Sequence, residues 1–296
     1  MSTQTYTDYA TYLSRHFDGK VQKLTINTGS GCPNRDGTKG RGGCTYCNNA
    51  SFSPAIGAAG ESVTSQLEAG KRFFARKYPD MRYLAYFQSY TNTYGNPDEL
   101  MKQYREALSV DGVVGLIIGT RPDMLPDELL TQLGQLAQTR YVMIEFGAES
   151  SHDTTLERVN RCHTWADTVD AVNRAADAGL HVGLHLIMGL PDETREMMLE
   201  TVRRVTSLPV DVVKLHQLQV LRGTRMALEA DTIDTFTVDE YIDLCCDIVR
   251  LIPPHIAIER FTSSAPADML IKPRWGLKNY QFTNLLHNRL NSVKNT

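Results

Sequence analysis

Short apolar runs alternate with longer amphipathic segments along the first two thirds of the chain, and this alternation constrains the fold more than any other feature. Short bounded runs predict buried strands, and apolar positions three or four apart over ten or more residues predict helices. The predicted strands lie at 21–26, 83–87, 113–118, 141–146, 181–188 and 212–218, and the predicted helices at 63–77, 97–108, 126–137, 165–178 and 193–205. These six βα units predict an α/β fold with a helix-covered parallel sheet, either open or closed towards a barrel.

The rhythm of strands and helices weakens after residue 218. The sequence there predicts a loop, a helix near 238–251, a strand at 256–259 and a final helix near 281–290. We therefore divide the chain into an N-terminal segment at 1–20, a core at 21–218 and a C-terminal extension at 219–296. Because no Gly/Ser-rich linker separates the last two parts, we expect the extension to pack on the core.

Composition and charge exclude several classes of protein. The chain has 296 residues, of which 42% are hydrophobic and 22% charged, with a formal net charge of −3, as in soluble globular proteins. The first twenty residues lack the apolar stretch of a signal peptide, and the longest apolar run, near 113–118, is too short to span a bilayer. We expect a cytoplasmic protein that does not associate with membranes.

Three of the six cysteines form a tight group directly after the first predicted strand. Cys32, Cys44 and Cys47 fall within sixteen residues, on a loop rich in glycine. Cytosolic chains rarely carry structural disulfides, so such a group indicates metal-binding or redox chemistry. Three thiolates can hold three irons of a [4Fe-4S] cluster and leave the fourth iron open to an outside ligand.

A structural zinc site is the alternative interpretation of this loop. Zinc in such sites takes a closed tetrahedral shell, which needs a fourth ligand. The loop itself offers none, although His152, His163 or Cys162 could complete the shell from elsewhere.

The segment Cys44-Thr45-Tyr46-Cys47, with a further cysteine upstream, resembles the cluster motif of the radical S-adenosylmethionine (radical SAM) superfamily. Eleven residues separate the first two cysteines here, whereas three is usual. The longer loop, with Cys-Pro-Asn-Arg-Asp-Gly at 32–37, resembles the YhcC/YtqA-like branch, which is similar to the catalytic subunit of elongator without its acetyltransferase domain. Similar segments at 86–93, 119–123, 158–163 and 189–191 extend this resemblance over most of the chain.

The resemblance implies a partial (βα)6 TIM-like barrel whose reactive face is built from loops that follow the strands. It also implies that Cys32, Cys44 and Cys47 bind a [4Fe-4S] cluster, with S-adenosylmethionine on the open iron. The cofactor-binding residues that it implies are Tyr46 near the adenine, Gln88 and Ser89 at the methionine amino end, Glu149 and His185 at the ribose, Arg161 at the methionine carboxylate and Gly189 near the adenine.

For two of these residues, a purely structural role is an alternative to cofactor binding. A guanidinium matches a carboxylate as a two-pronged donor, which favours Arg161 as the carboxylate ligand. The alternative is a surface ion pair between Arg161 and Glu157, one helical turn back. His185 lies inside the fifth predicted strand, and a hydrogen-bonded interior histidine explains it as well as a ribose ligand does.

Several charged or polar residues lie in or next to strands that are otherwise apolar. Glu145 needs a partner there, an arginine or the cofactor, because burying an unpaired charge is costly. Lys214 and His216 alternate on the sixth strand, and Arg260 follows the last one. Such groups are tolerated where they line a cavity, so we assign these three residues to its substrate side.

The predicted activity is cleavage of S-adenosylmethionine to a 5′-deoxyadenosyl radical that abstracts hydrogen from an unidentified substrate. A low-potential electron donor such as flavodoxin is implied. Similarity to elongator implies a tRNA, modified at a wobble uridine, and the acid-free basic tail at 269–296 offers phosphate contacts, with Trp275, Tyr280 and Phe282 for stacking. A solvated C-terminal helix explains that tail equally well.

Two functions from other classes stay open at this stage. An iron–sulfur electron-transfer or sensor protein would hold a cluster without cleaving S-adenosylmethionine. A zinc-stabilised RNA-binding module would hold zinc on the same loop.

Overall fold

Eight strands form one parallel sheet with helices along its outer face. The computed structural model of the chain describes residues 5–51, 60–75, 78 and 80–293. Its strands are β1 (Thr7–Asp8), β2 (Val21–Ile26), β3 (Arg82–Phe87), β4 (Val113–Thr120), β5 (Tyr141–Glu149), β6 (His181–Met188), β7 (Val212–Gln217), β8 (Val220–Leu221), β9 (Ala257–Arg260) and β10 (Leu270–Lys272). Its helices are α1 (Tyr9–Leu13), α2 (Pro33–Asp36), α3 (Val63–Ala75), α4 (Pro97–Ser109), α5 (Asp127–Ala137), α6 (Asp153–Arg158), α7 (Trp165–Asp177), α8 (Arg195–Thr206), α9 (Val238–Leu251) and α10 (Asn279–Val293).

The sheet is curled into a half-barrel. Its strand order is β1-β9-β7-β6-β5-β4-β3-β2, and every neighbouring pair is parallel. Lys23 on the edge strand β2 reaches Glu259 on β9 near the other edge, with Nζ 2.5 Å from Oε2. Two side chains so far apart in strand order meet only if the sheet curves round a common interior. The predicted partial TIM-like barrel is therefore confirmed.

The sheet is wider than the six strands that the sequence predicts. β9, which the division above assigns to the C-terminal extension, pairs with β7, and β1 pairs with β9 through Thr7 and Ala257. β1 has only two residues, too few for any periodicity to reveal it. The end of the predicted helix at 63–77 lies outside the described residues, and the division into three parts stays a prediction.

The starts of α7, α8 and α9 follow ordinary capping chemistry. Thr164 and Thr237 each form a capping box with the acidic residue three positions on, which satisfies free backbone N–H groups of α7 and α9. Thr194 caps α8, so this helix begins two residues later than predicted. No helix within the described ranges is long and apolar enough to cross a membrane.

Two apolar layers enclose a polar interior. The outer layer lies between the sheet and its helices and includes the fully buried Leu116, Ile118 and Phe87. The inner layer closes the amino end of the half-barrel, where α1 packs Tyr12 and Leu13 against the strands. Each fully buried side chain of this kind contributes about 1.5–3 kcal/mol of transfer free energy. Because α1 closes the amino end, a functional site can open only at the carboxyl ends of the strands.

The last part of the chain packs on α9. Trp275 stacks on Phe282 with ring centroids 5.7 Å apart, and both contact Tyr241 of α9. Arg289 of α10 forms ion pairs with Asp239 and Asp243. Two of the three aromatic residues suggested for base stacking are thus used inside the fold, whereas Tyr280 is exposed.

Candidate active site

The cysteine loop is held against the segment that follows α6. Asn34 donates through Nδ2 to the carbonyl of Asn160 at 2.6 Å, and Asn160 donates back to the carbonyl of Gly43 at 2.8 Å. A Cβ on Gly40 would lie 2.3 Å from Asn34 Oδ1 and 2.7 Å from Cys162 Sγ. Only glycine allows this close approach between the loop and Cys162.

Cationic and amide donors lie close to the sulfur of Cys44 and to the backbone of Cys47. Arg161 Nη1 lies 3.5 Å and Asn34 Nδ2 3.6 Å from Cys44 Sγ, and Arg35 donates to the carbonyl of Cys47 at 2.9 Å. Burial raises the pKa of the Cys47 thiol, and the nearby Cys44 raises it further. Thiolates at these positions would gain from the donors and from bound cations.

The residues of the loop fit an iron–sulfur cluster in their chemistry. All three cysteines are free thiols that line one cavity, with hydrogen-bond donors directed at Cys44 Sγ. Hydrogen bonds to the sulfurs and nearby cations are among the features by which proteins tune such clusters. In the part of the chain that the structure describes, no three His, Cys, Asp or Glu side chains are gathered closely enough to hold a metal ion. Ligation by the three cysteines therefore stays a prediction.

Among the residues that the structure describes, no set of side chains is gathered that would form a zinc site. His152 Nε2 lies 2.9 Å from the carbonyl of Met197, and Cys162 is exposed with its sulfur beside Asn160. His163 is buried, and neither ring nitrogen has a hydrogen-bond partner among the described residues. Burial and the adjacent Arg161 and Arg121 lower the pKa of His163 to about 2.

A cavity of about 290 Å³ opens at the carboxyl ends of the strands. Of the predicted site residues, those that line it are Cys32, Cys44, Cys47, Tyr46, Gln88, Glu149, Arg161, His185, His216 and Arg260. Ser89 is buried and does not line the cavity, and the same is true of Lys214. Gly189 also lies outside it, with φ at +86° and its amide 3.1 Å from Met198 Sδ.

Arg161 lies at the centre of the cofactor side. Nη2 donates to the carbonyl of Gly147 at 2.6 Å and pairs with Glu149 Oε1 at 3.5 Å. Burial would lower the pKa of Arg161, but Tyr46, Cys44 and Glu149 raise it well above its usual range. The ion pair is with Glu149, and the alternative partner Glu157 forms no described contact with it.

Some polar atoms on this side have no described partner. Arg161 Nε and Tyr46 Oη are buried and unpaired within the described residues. Glu149 has φ at +66°, and the pairing of β5 with β6 shifts there, so that Gly147 pairs with His185 and Glu149 with Leu186. A shift of one residue re-aims the end of a strand and is frequent beside active sites. These groups are available to a polar ligand.

A buried ionic layer lies beneath the cavity. Glu145 accepts from Lys23 at 2.8 Å, from Lys214 at 3.2 Å and from His185 at 2.7 Å, and Glu259 also pairs with both lysines. Burial opposes ionisation of Glu145, but Lys214 and Lys23 hold its pKa well below the usual range. The partner that Glu145 needs is therefore two lysines and a histidine, not an arginine.

His216 and Arg260 form the wall on the predicted substrate side. Arg260 Nη2 lies 3.1 Å from Nδ1 and 3.2 Å from Nε2 of His216. Burial and the adjacent guanidinium hold the pKa of His216 well below its usual range, so its ring is neutral.

Sequence reasoning missed several residues at this site. Lys23 and Glu259 meet across the barrel, and nothing in their separate sequence contexts reveals that contact. The hydroxyl of Tyr86 lies 3.2 Å from Lys214 Nζ. This residue could have been found from the sequence, because Tyr86 is two positions after Leu84 in β3 and therefore lies on the same inner face of the sheet.

Comparison with known protein families gives two matches that together span most of the chain. The profile of the radical SAM superfamily matches residues 26–205, and that of the radical SAM C-terminal domain matches residues 210–292.

Individual relatives agree with these matches. YhcC of Escherichia coli K12 is 40% identical over 266 residues, covering 89% of this chain and 85% of its own. YtqA of Bacillus subtilis is 35% identical over 281 residues, covering 94% of this chain and 87% of its own. A tRNA uridine(34) acetyltransferase of Methanocaldococcus jannaschii is 27% identical over 163 residues, which span 53% of this chain and 30% of the relative.

Among solved structures, archaeal Elp3 of Methanocaldococcus infernus superposes with a TM-score of 0.69 at 16% identity. The match covers 94% of this chain and 64% of Elp3. At that identity the likeness concerns the fold.

Proposed function

Because this chain belongs to the radical SAM superfamily, we propose that it is an enzyme that cleaves S-adenosylmethionine to a 5′-deoxyadenosyl radical. A [4Fe-4S] cluster held by Cys32, Cys44 and Cys47 fits this role, and the radical abstracts hydrogen from a substrate that is not yet identified. The observation that carries the proposal is that the three cysteines line one cavity with Arg161 and Glu149 at the carboxyl ends of parallel strands.

The chain's own residues have separate tasks in this proposal. The cluster, when bound, supplies the electron for reductive cleavage of the sulfonium. Arg161 donates through Nη1 to Cys44 Sγ and through Nη2 to the carbonyl of Gly147. Its Nε has no partner among the described residues and is the donor that would bind the methionine carboxylate. Glu149 accepts hydrogen bonds from ribose hydroxyls, and Tyr46 and Ile187 exclude water from the reacting atoms.

The remaining predicted cofactor contacts belong to the same proposal. Gln88 lines the cavity after β3 and offers an amide to the methionine amino group. His185 lines the cavity, and Glu145 holds its Nε2 at 2.7 Å, which leaves Nδ1 for a ribose hydroxyl. Ser89 and Gly189 do not line the cavity, so the proposal gives them no direct contact with the cofactor. A low-potential donor such as flavodoxin would be the reductant.

Anaerobic reconstitution with iron and sulfide, followed by reduction in the presence of S-adenosylmethionine, tests the proposal. We expect 5′-deoxyadenosine and methionine in the wild type and neither in Cys47→Ala. Cys246→Ala removes a buried thiol of α9 and is the matched control, which keeps the reaction. A brown protein without product would favour electron transfer or sensing, and zinc without iron would favour the zinc module.

We propose tRNA as the first substrate to test, with a wobble-uridine side chain as the reacting group. Its support is the likeness to a relative named tRNA uridine(34) acetyltransferase. The C-terminal tail gives less support, because Arg289 is paired with two aspartates and Trp275 is packed in the fold. Retention of tRNA that weakens with salt, compared with a variant in which Lys272 and Lys278 are changed to glutamine, tests both the partner and the tail.

A further inference from the structure

Arg260 faces the cavity because the last sheet pairing shifts by one residue. Val213 pairs with Ile258 and Lys214 with Arg260, so Glu259 is an extra residue between them. Consecutive residues of a regular strand point to opposite faces, yet Glu259 reaches the interior lysines and Arg260 lines the cavity. Bulges of this kind re-aim side chains near active sites.

Most charged side chains around the cavity are paired with a charge of opposite sign. The two interior lysines share Glu145 and Glu259. Among the guanidiniums that line the cavity, Arg121 pairs with Asp123 and Arg161 with Glu149.

The other two guanidiniums differ from these. Arg35 is exposed, donates to the carbonyl of Cys47 and lies over the ring of Tyr90. Arg260 forms no ion pair with a carboxylate of the described residues, and its Nε is buried without a partner. Its described hydrogen-bond contact is with the neutral ring of His216.

We infer that Arg260 and His216 form an oxyanion site that binds a carboxylate or phosphate group of the substrate. A guanidinium with an unpaired Nε offers an in-plane pair of donors, which matches both kinds of anion. His216 adds a neutral ring nitrogen as a further donor beside it. The inference rests on the proposed function, because a cofactor on the cysteine side leaves this wall to the substrate.

The size of the cavity limits what enters. The cavity of about 290 Å³ lies at the lower end of ordinary small-molecule sites and has to be shared with the cofactor. Only a small group of the substrate can therefore reach Arg260, not a folded polymer. Neighbouring amides are already used: Gln217 and Ser263 hydrogen-bond each other at 3.0 and 2.8 Å. Among the described residues at this wall, Arg260 is the charged group that has no partner of opposite charge.

Titration calorimetry of the reconstituted, unreduced protein with S-adenosylmethionine present tests the inference. The probes are inorganic phosphate and acetate at constant ionic strength, and the cofactor is present so that its own carboxylate is not the anion measured. We expect saturable binding of at least one probe, weakened about tenfold or more in Arg260→Gln, as loss of a charge-assisted bond requires. Arg260→Lys keeps the charge and should lose less affinity.

Arg250→Gln is the matched control, because Arg250 is an exposed arginine of α9 paired with Asp247. We expect it to bind both probes like the wild type. Tighter phosphate binding points to a phosphorylated substrate, and tighter acetate binding to a carboxylate.

Three results would overturn the inference: no saturable binding, equal affinity in Arg260→Gln, or displacement of the probe by S-adenosylmethionine. Formation of 5′-deoxyadenosine by the wild type is measured in parallel. If that product is absent while the probe still binds through Arg260, the proposed function fails and the anion site stands. If product forms without Arg260-dependent binding, this inference fails alone.

Discussion

Glu145 is the residue on which the interior charges depend. Glu145→Gln leaves Lys23 and Lys214 with only Glu259 between them, inside the barrel. Removing one partner of a buried ionic group costs about 3–5 kcal/mol, because the remaining charge is uncompensated. We expect a loss of this size in the free energy of unfolding, measured by urea denaturation at pH 7.5.

The control for this substitution is Glu196→Gln, which breaks an exposed pair with Arg203. Surface pairs contribute about 0–1 kcal/mol, so little change is expected. Equal losses in the two variants would show that the interior layer is not a stabilising network.

His163 makes stability depend on pH in a defined direction. Its pKa falls from 6.5 in the unfolded chain to about 2 in the folded one, chiefly because it is buried. The unfolded state therefore binds a proton below pH 6.5 that the folded state does not. Stability attributable to His163 is complete above pH 6.5 and decreases towards pH 2, by about 1.4 kcal/mol per pH unit.

His163→Phe removes this titration. Between pH 7.5 and pH 5.5 the free energy of unfolding should fall by about 1.4 kcal/mol more in the wild type than in the variant. His255→Gln, at an exposed position, is expected to behave like the wild type. Identical pH profiles for wild type and His163→Phe would contradict a buried neutral ring.

At the scale of elements, the cysteine loop depends on the close approach at Gly40. A Cβ there would overlap Asn34 and Cys162, whereas a Cβ on Gly31 in the same loop would lie 3.6 Å from the ring of Tyr94, an ordinary contact. We expect Gly40→Ala to lower the iron bound per chain after reconstitution and Gly31→Ala to leave it unchanged. Equal iron content would mean that the loop closes in another way.

The capping box of α9 gives a prediction that does not involve the site. Thr237 accepts from the amide of Glu240 at 3.3 Å, and Glu240 Oε2 accepts from the amide of Thr237 at 2.8 Å. Thr237→Ala should reduce the free energy of unfolding by about 1 kcal/mol. Thr131→Ala, inside the exposed face of α5, is the comparison and should change it by less than about 0.5 kcal/mol. Equal losses in the free energy of unfolding of the two variants would contradict a stabilising role for the cap.

Strand and helix positions could be predicted because their apolar patterns are local. β2, β6 and α9 have the same bounds in the prediction and in the structure. The shifts in pairing near Glu149 and Glu259 could not be predicted from the sequence, because a bulge depends on the neighbouring strand. These shifts decide which side chains face the cavity.

At the scale of the whole molecule, the half-barrel has three layers from its amino to its carboxyl end. An apolar plug around α1 comes first, then the ionic layer around Glu145, then the cavity with the cysteine loop. The general location of the site could be predicted, since parallel barrels carry their sites at the carboxyl ends of the strands. The contact between Lys23 and Glu259 could not, because it arises only when the sheet curls.

Electron paramagnetic resonance of the reduced, reconstituted protein with and without S-adenosylmethionine tests the central claim most directly. Three cysteine ligands leave one iron open, so the cofactor should bind that iron and change the spectrum of the reduced cluster. S-adenosylmethionine labelled with ¹⁷O in its carboxylate should broaden or split the signal. A cluster signal that is the same with and without the cofactor would contradict an open iron and the radical function built on it.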